Sequence, residues 1–178
     1  MDKAELRKTL IATRIIDHDR AKKDGSILKK LISSDIFKKT SVILSYVSVK
    51  EEIDTKELIS YCIRNSKRIA APKIIGKDIS FFYINNPCDL VVGQFGIPEP
   101  NGKCEIFNKD DLSSSICITP ALAYNEQNFR LGYGGGYYDR FLSRYSGISI
   151  GLCYKENMIE FSTEEHDIPV DQLIISEC

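Results

Sequence analysis

The chain has 178 residues, of which 43% are hydrophobic and 28% are charged, and its formal net charge at pH 7 is −1. These values predict one globular domain over residues 1–178 and exclude a disordered chain. The sequence contains no run of about 20 apolar residues, so we expect no transmembrane helix and no membrane partner. The charged N-terminal segment lacks the apolar stretch of a secretory signal, and we therefore expect a cytoplasmic protein.

Cysteine spacing and charge distribution exclude further classes. The six cysteines include no C-x-x-C pair, so reduced thiols are expected rather than a disulfide framework or a zinc site. Residues 1–40 contain eleven Lys and Arg against six Asp and Glu, whereas the rest of the chain is acidic. This distribution predicts a local anion site rather than a nucleic-acid-binding surface, which would require a basic domain.

Hydrophobic periodicity predicts alternating helices and strands. Two N-terminal helices are expected over residues 2–21 and 26–39, divided near Asp24 and Gly25, and later helices follow a cap at Asp54 and span residues 137–145. Strands are predicted over residues 42–47, 68–74, 79–84, 115–122, 148–154 and 173–177, with a loop-like stretch over 85–104. This alternation predicts a three-layer α/β/α domain with a largely parallel, mixed, Rossmann-like sheet.

Three basic residues share one face of the first predicted helix. Lys3, Arg7 and Arg14 are spaced at i, i+4 and i+11, which places them within about 40° of one another at 100° per residue. Like charges at this spacing repel one another, and an anionic ligand would relieve the repulsion. A solvated basic face is the alternative interpretation.

The strongest chemical signal is a glycine-rich segment over residues 130–140, RLGYGGGYYDR. Its glycines follow a predicted strand and precede a predicted helix, so backbone N–H groups and the helix N-terminus can together cradle a phosphate. Arg130 adds a planar donor fork for phosphate, and Asp139 can hold a Mg²⁺ that bridges phosphate oxygens. A tight turn for the glycines and a helix-dipole carboxylate for Asp139 remain open alternatives.

These segments resemble the 5-formyltetrahydrofolate cyclo-ligase family, also called 5,10-methenyltetrahydrofolate synthetase. The glycine–tyrosine segment over 130–140 and the N-terminal pair Lys3 and Arg7 carry the resemblance. Shorter matches extend it over nearly the whole chain, at residues 48–57, 69–73, 95–100, 120–124 and 169–171.

The resemblance implies an ATP- and Mg²⁺-dependent ligase with small-molecule substrates, and we expect a monomer. The formyl oxygen of 5-formyltetrahydrofolate would attack the γ-phosphate of ATP, and N10 would then close the ring of the phosphorylated imidate. The products would be 5,10-methenyltetrahydrofolate, ADP and phosphate. Positioning and charge neutralisation would supply most of the catalysis.

The family's roles carry over to individual residues of this chain. The implied nucleotide contacts are Lys3, Arg7, Arg130, Leu131, Gly132, Tyr133, Gly134, Gly135, Gly136, Tyr137 and Tyr138. The implied folate contacts are Val47, Glu52, Tyr133, Gly134, Gly135, Gly136 and Tyr137, with Glu52 placed to hydrogen-bond the amide edge of the pterin. The implied magnesium ligands are Asp139 and Asp171, and Arg130 and Tyr137 are the residues expected at the reacting groups.

Two positions depart from the family pattern. Asn125 stands where many members have Asp, and Asn128 stands where a glycine is common. Because Asn tolerates the left-handed conformation, the turn at Asn128 can survive. Two other function classes remain as alternatives: a sugar-phosphate isomerase-like enzyme, and a non-catalytic nucleotide-binding module in which Glu52 and Asp171 would lie far from the glycines.

Overall fold

The structure is a computed structural model that describes residues 2–93 and 96–177. Its helices are α1 (Lys3–Ile16), α2 (Arg20–Ser33), α3 (Asp35–Lys39), α4 (Lys56–Arg64) and α5 (Tyr137–Leu142). Its strands are β1 (Val42–Ser45), β2 (Arg68–Ile75), β3 (Asp78–Ile84), β4 (Leu90–Val92), β5 (Pro98–Pro100), β6 (Ser115–Thr119), β7 (Ala123–Tyr124), β8 (Arg130–Leu131), β9 (Ile148–Cys153) and β10 (Gln172–Ile175).

Six strands form one mixed sheet in the order β10-β9-β6-β1-β2-β3. All neighbours pair in parallel except β2 and β3, which are antiparallel. The parallel strands alone follow the doubly wound order 2-1-3-4-5, and the order reverses between β1 and β6. In such sheets ligands bind beyond the carboxyl ends of the strands at this switch point. The topology therefore directs attention to the residues that follow β1 and β6.

Helices cover both faces of the sheet, as the predicted three-layer class requires. Ile27 of α2, Phe37 of α3 and Leu58 of α4 pack with Ile43 of β1 in the core on one face. Leu142 of α5 packs with alternate residues of the strands in the core on the other face. The predicted α/β/α class and largely parallel sheet are confirmed.

Two small ribbons lie outside the main sheet. β4 pairs with β5, and β7 pairs with β8, both antiparallel. Leu10 of α1 packs against Leu131 of β8 in a third apolar cluster. This packing fixes the N-terminal helix beside the glycine-rich segment that leaves β8.

The N-terminal helices divide at a different point from the predicted one. The break lies between α1 and α2, where the Asp17 carboxylate accepts a hydrogen bond from the Asp19 N–H at 2.9 Å. Such a local bond competes with helix continuation. Gly25 is instead inside α2, and the neighbouring Asp24 accepts a 2.6 Å hydrogen bond from the Tyr154 hydroxyl. The prediction of a break near Asp24 and Gly25 was wrong because tertiary contacts hold that segment helical.

Other boundaries shift without changing the architecture. The stretch over residues 85–104 was expected to be a loop but contains the β4–β5 ribbon. β2 and β3 continue past the end of β1, because Ala70 already pairs with Leu44 while β2 runs on to Ile75. This extension forms a wall above the carboxyl end of β1.

Across residues 2–93 and 96–177, no helix combines the length and apolar character that crossing a membrane requires. The cysteines in these ranges carry free thiols: Cys62, Cys88, Cys104, Cys117 and Cys153. Cys178 lies outside the described residues, as does Phe95 at the start of the 95–100 family landmark.

Candidate active site

A cavity of about 780 Å³ opens at the carboxyl ends of β1 and β6. Its walls come from α1, the loop after β1, the β2–β3 extension, the β4–β5 ribbon, the glycine-rich segment and the chain that precedes β10. The residues expected to contact nucleotide or folate are part of its lining: Lys3, Arg7, Val47, Glu52, Arg130, Leu131, Gly132, Tyr133, Gly134, Gly135, Gly136, Tyr137 and Tyr138. One cavity at the switch point thus contains residues from both ends of the sequence.

The glycine-rich segment adopts a conformation that depends on its glycines. Gly134 and Gly136 have φ angles of 97° and 64°, in the region that side chains disfavour. Gly136 is also the N-cap of α5, and a Cβ there would lie 2.8 Å from Nη1 of Arg140. That arginine donates a 3.1 Å hydrogen bond to the Gly135 carbonyl. The loop is therefore fixed at its junction with the helix rather than being free to rearrange.

Two cations of α1 reach the cavity. Arg7 Nε donates a hydrogen bond of 2.8 Å to the Gly132 carbonyl. Lys3 forms ion pairs with Glu164 at 3.1 Å and with Asp167 at 3.2 Å. The expected row of three basic residues therefore divides, because Arg14, 2% exposed, is buried and donates from Nη2 to the Leu122 carbonyl.

Arg130 is held by neighbours on both arms of its guanidinium group. Nη2 pairs with Oδ1 of Asp139, and Nη1 donates to the Ile168 carbonyl at 2.8 Å. The Ile168 N–H returns a 3.1 Å hydrogen bond to the same aspartate oxygen. The arginine and the aspartate thus form one fixed unit at the start of α5.

Glu52 lies in the loop after β1 with its carboxylate oriented by the backbone. The Val49 N–H donates to Oε2 at 2.8 Å, and Arg20 donates to the Glu52 carbonyl at 3.0 Å. Burial raises the pKa of Glu52 to about 7, and the neighbouring Glu51 acts in the same direction. The side chain can therefore change charge near neutral pH.

Aromatic side chains line the cavity between these charged groups. Tyr137 and Tyr138 begin α5, and the Tyr138 hydroxyl is buried without a hydrogen-bond partner in the described part of the chain. Burial raises the pKa of Tyr138 well above its usual range, so the phenol stays neutral.

These groups can hold a polyanion beside a flat, partly apolar molecule. The comparisons with known proteins agree with that chemistry. A family model described as the 5-formyltetrahydrofolate cyclo-ligase family matches residues 1–176. The chain belongs to this family.

Individual relatives support the family assignment. A Schizosaccharomyces pombe protein named probable 5-formyltetrahydrofolate cyclo-ligase is 27% identical, with 99% of this chain and 96% of the relative covered. The Haemophilus influenzae 5-formyltetrahydrofolate cyclo-ligase is 33% identical over 75% of this chain and 74% of its own.

Solved structures support the fold as well. The Aquifex aeolicus 5,10-methenyltetrahydrofolate synthetase aligns with a TM-score of 0.84 and 32% identity, covering 98% of this chain and 90% of that one. A Mycoplasma pneumoniae synthetase of 23% identity aligns with a TM-score of 0.76. The resemblance seen in the sequence is confirmed, and the chain is a ligase of this family.

Asp171 lies apart from the other expected site residues. Its Oδ2 accepts 2.7 Å hydrogen bonds from both the N–H and the hydroxyl of Ser149, near the start of β9. Because β9 is parallel to β1 and β6, its start lies at the amino ends of the strands, on the opposite side of the sheet from the carboxyl ends where the cavity opens. Asp139 lines the cavity, whereas Asp171 is absent from the lining. The structure thus does not bring the two expected metal ligands together there.

The two departures from the family pattern have structural roles. Asn128 has φ of 64° and its carbonyl accepts from the Val170 N–H at 3.0 Å, so asparagine replaces glycine in the left-handed turn as expected. Asn125 is buried, and its Oδ1 accepts from the N–H groups of Gln127 and Phe129. The amide closes this turn and does not line the cavity.

Sequence reasoning assigned no site role to four acidic residues that line the cavity: Glu51, Glu99, Glu164 and Asp167. None of them lies at a spacing typical of a site residue. Glu51 and Glu99 belong to the 48–57 and 95–100 family landmarks, which were the signals available. His166 also lines the cavity beside Glu164 and Asp167.

Proposed function

We propose that this chain uses ATP to convert 5-formyltetrahydrofolate to 5,10-methenyltetrahydrofolate. The observation that carries the proposal is the joining of the glycine-rich segment, the two α1 cations and Glu52 in one cavity. The formyl oxygen attacks the γ-phosphorus, and the bond from that phosphorus to the β,γ-bridging oxygen breaks as ADP leaves. N10 then attacks the imidate carbon, its proton is lost to solvent, and the carbon–oxygen bond breaks as phosphate departs.

The glycine-rich segment and α1 bind the triphosphate in this proposal. Backbone N–H groups of residues 132–136 and the N-terminus of α5 supply oriented donors. Arg7 and Lys3 add positive charge at the same wall, and Arg130 contributes through a guanidinium that is already oriented. Neutralising the terminal phosphate and aligning it with the formyl oxygen are the main contributions that a protein makes to phosphoryl transfer.

Magnesium fits this wall through one carboxylate. Mg²⁺ bound with a nucleotide takes most of its oxygens from phosphates and water, so one or two protein carboxylates suffice. Asp139 lines the cavity and uses Oδ1 for its contacts with Arg130 and Ile168, so Oδ2 would be left to hold the metal. The bound ion would neutralise charge on the phosphate oxygens. The role expected for Asp171 stays a prediction, and its bonds to Ser149 support a structural function instead.

The folate binds against the loop after β1 and the β2–β3 extension. Val47 and Glu52 face the cavity from the loop, and Tyr133 and Tyr137 border it on the glycine side. An ionised Glu52 would accept hydrogen bonds from ring N–H groups. The two anionic substrates are then held apart except at the formyl and γ-phosphate groups.

The two alternative function classes are less well supported. In a non-catalytic module, both Glu52 and Asp171 would lie far from the glycines. Asp171 does lie apart from them, but Glu52 lines the same cavity as the glycines, which favours the catalytic function. A sugar-phosphate isomerase belongs to another reaction class than the named relatives. The monomeric state, the absence of nucleic-acid partners and the cytoplasmic location stay predictions.

A spectroscopic assay tests the proposal. Purified protein is mixed with 5-formyltetrahydrofolate, and the near-ultraviolet absorbance of the methenyl product is recorded with ATP and Mg²⁺ present together and with each omitted. We expect product only when both are present, with one ADP formed per ring closed. Product formed without ATP, or no product under any condition, would contradict the proposal.

A further inference from the structure

Glu99 is a buried acidic residue in the cavity that the roles above do not use. It lies on β5 and is 6% exposed, yet it is part of the cavity lining. The lining beside it on the β2–β3 extension is apolar and includes Pro72, Ile74 and Ile79. A carboxylate in such surroundings needs hydrogen-bond donors.

Within the described part of the chain, few donors reach this carboxylate. Oε1 accepts from the Ile74 N–H at 3.4 Å, and no other hydrogen bond or ion pair to the Glu99 side chain occurs among residues 2–93 and 96–177. The nearby Lys73 donates instead to the Pro100 carbonyl at 3.2 Å. A carboxylate can accept about four hydrogen bonds, so the donors within these two ranges use only a small part of the accepting capacity of Glu99.

The position of the carboxylate is fixed by its packing. A Cβ added at Gly93 would lie 2.4 Å from both Cδ and Oε2 of Glu99. The acidic group therefore rests directly against the backbone of Gly93, in space that only glycine leaves open. A carboxylate held in this way can act as a rigid recognition element.

The chemistry of the carboxylate selects its partner. Phosphates and the glutamate tail of folate are anionic and would be repelled, so the partner must present hydrogen-bond donors. The pterin ring has an amino group and a ring N–H side by side, and this pair matches the two oxygens of one carboxylate as an arginine fork does. We propose that Glu99 binds the 2-amino and N3–H edge of the pterin ring. This inference rests on the proposed function.

This proposal assigns the edge to Glu99, whereas the family resemblance assigned the amide edge of the pterin to Glu52. Oε2 of Glu52 already accepts a 2.8 Å hydrogen bond from the Val49 N–H, whereas the bond from the Ile74 N–H to Glu99 is 3.4 Å long. Glu52 remains available for another N–H of the reduced ring.

Folate binding in the absence of ATP tests this inference. Titration calorimetry with 5-formyltetrahydrofolate compares the wild-type chain with Glu99→Gln and with the control Glu105→Gln, whose side chain is exposed. Because a hydrogen bond to a charged group contributes about 1.5–3 kcal/mol, we expect the Kd of Glu99→Gln to rise about tenfold or more. The KM of Glu99→Gln for ATP should stay within about twofold of the wild-type value. The control Glu105→Gln should bind 5-formyltetrahydrofolate as the wild type does.

A substrate analogue identifies the donor. In 2-desamino-2-methyl-5-formyltetrahydrofolate the amino group is replaced by methyl, so the wild-type chain should bind it more weakly than the natural compound. Glu99→Gln should bind the two compounds almost equally. If Glu99→Gln does not fold, Glu99→Asp serves in its place, since shortening the side chain should also reduce the discrimination.

The outcomes separate the two proposals. Suppose that the wild-type protein forms product only with ATP and Mg²⁺, while Glu99→Gln still distinguishes the natural compound from the methyl analogue as the wild type does. This result leaves the proposed function intact and overturns the role of Glu99. Loss of discrimination in Glu52→Gln rather than in Glu99→Gln also overturns it. A wild-type chain that neither binds formyl-folate nor forms product contradicts the proposed function itself.

Discussion

Arg130 and Asp139 form an ion pair inside the cavity, with their side chains 4% and 20% exposed. The main chain of Ile168 completes the arrangement by accepting from the arginine and donating to the aspartate. A guanidinium fixed in this way loses little conformational entropy when a phosphate binds. The pair therefore links the start of α5 to the chain that precedes β10, and it prepares the nucleotide wall.

Replacing the two expected magnesium ligands should give different results. Asp139→Asn should raise the Mg²⁺ concentration needed for half-maximal activity, because a neutral amide binds the cation more weakly. It should also lower the free energy of unfolding by about 3 kcal/mol, since it leaves the buried Arg130 charge unpaired. A Mg²⁺ titration and chemical denaturation measure the two effects.

Asp171→Asn serves as the matched comparison. It replaces the charged acceptor of two hydrogen bonds from Ser149 with a neutral amide, so we expect a loss of about 1–3 kcal/mol in the free energy of unfolding. The Mg²⁺ requirement of the folded fraction should be unchanged. A shifted requirement in Asp171→Asn would place that carboxylate at the metal after all.

Arg7→Met should weaken ATP binding selectively. The substitution removes a charge and the 2.8 Å bond that holds the Gly132 carbonyl. We expect the KM for ATP to rise about tenfold, equivalent to about 1.4 kcal/mol, with little change in the KM for formyl-folate. Lys8→Met, at the exposed neighbouring position, is the control and should have no such effect. Equal effects in both variants would indicate general electrostatic attraction instead of a specific contact.

Folate binding should strengthen as the pH rises through about 7, the value to which burial raises the pKa of Glu52. The ionised carboxylate accepts ring N–H groups better than the neutral acid does. Calorimetric Kd values measured without ATP between pH 6 and pH 8 should show this trend. The midpoint of the change should lie within about one pH unit of neutrality. In Glu52→Gln the Kd should be nearly independent of pH, and a slope retained in that variant would assign the titration to another group.

The same shift predicts a trend in stability. The folded state holds the Glu52 proton more tightly than the unfolded chain does, because burial raises its pKa from 4.5 to about 7. The free energy of unfolding should therefore fall as the pH rises through this window, relative to that of Glu52→Gln. Denaturation curves at several pH values provide the comparison, and parallel pH profiles for the two proteins would contradict the shift.

Two glycine substitutions should act in opposite directions. Gly136→Ala places a side chain at φ of 64° and within 2.8 Å of Arg140, so it should cost about 1–2 kcal/mol or more and lower activity. Gly25 lies inside α2 with no atom within 4 Å of an added Cβ, and Gly25→Ala should stabilise the chain by about 0.5–1 kcal/mol. Thermal unfolding and the absorbance assay measure both, and a tolerated Gly136→Ala would mean that the loop is not constrained as described.

Local pattern alone identified much of this protein. The alternation of apolar strands with amphipathic helices predicted the layered, largely parallel sheet, because period-2 and period-3.6 patterns are properties of the backbone itself. The glycine-rich segment and the spacing of Lys3 and Arg7 were sufficient to identify a family. These features are contiguous in sequence, so they could be predicted before any tertiary contact was known.

Tertiary structure decided which polar side chains belong to the cavity. Glu99 lines the cavity from a short ribbon, whereas Asp171 contacts the start of β9 and Arg14 lies in the interior. The sequence pattern predicted none of these positions. The destination of a side chain depends on how far each strand extends and on what packs above it, and these are relationships between segments distant in sequence. A pattern read along the chain fixes which elements form, whereas the packing of those elements fixes which residues meet.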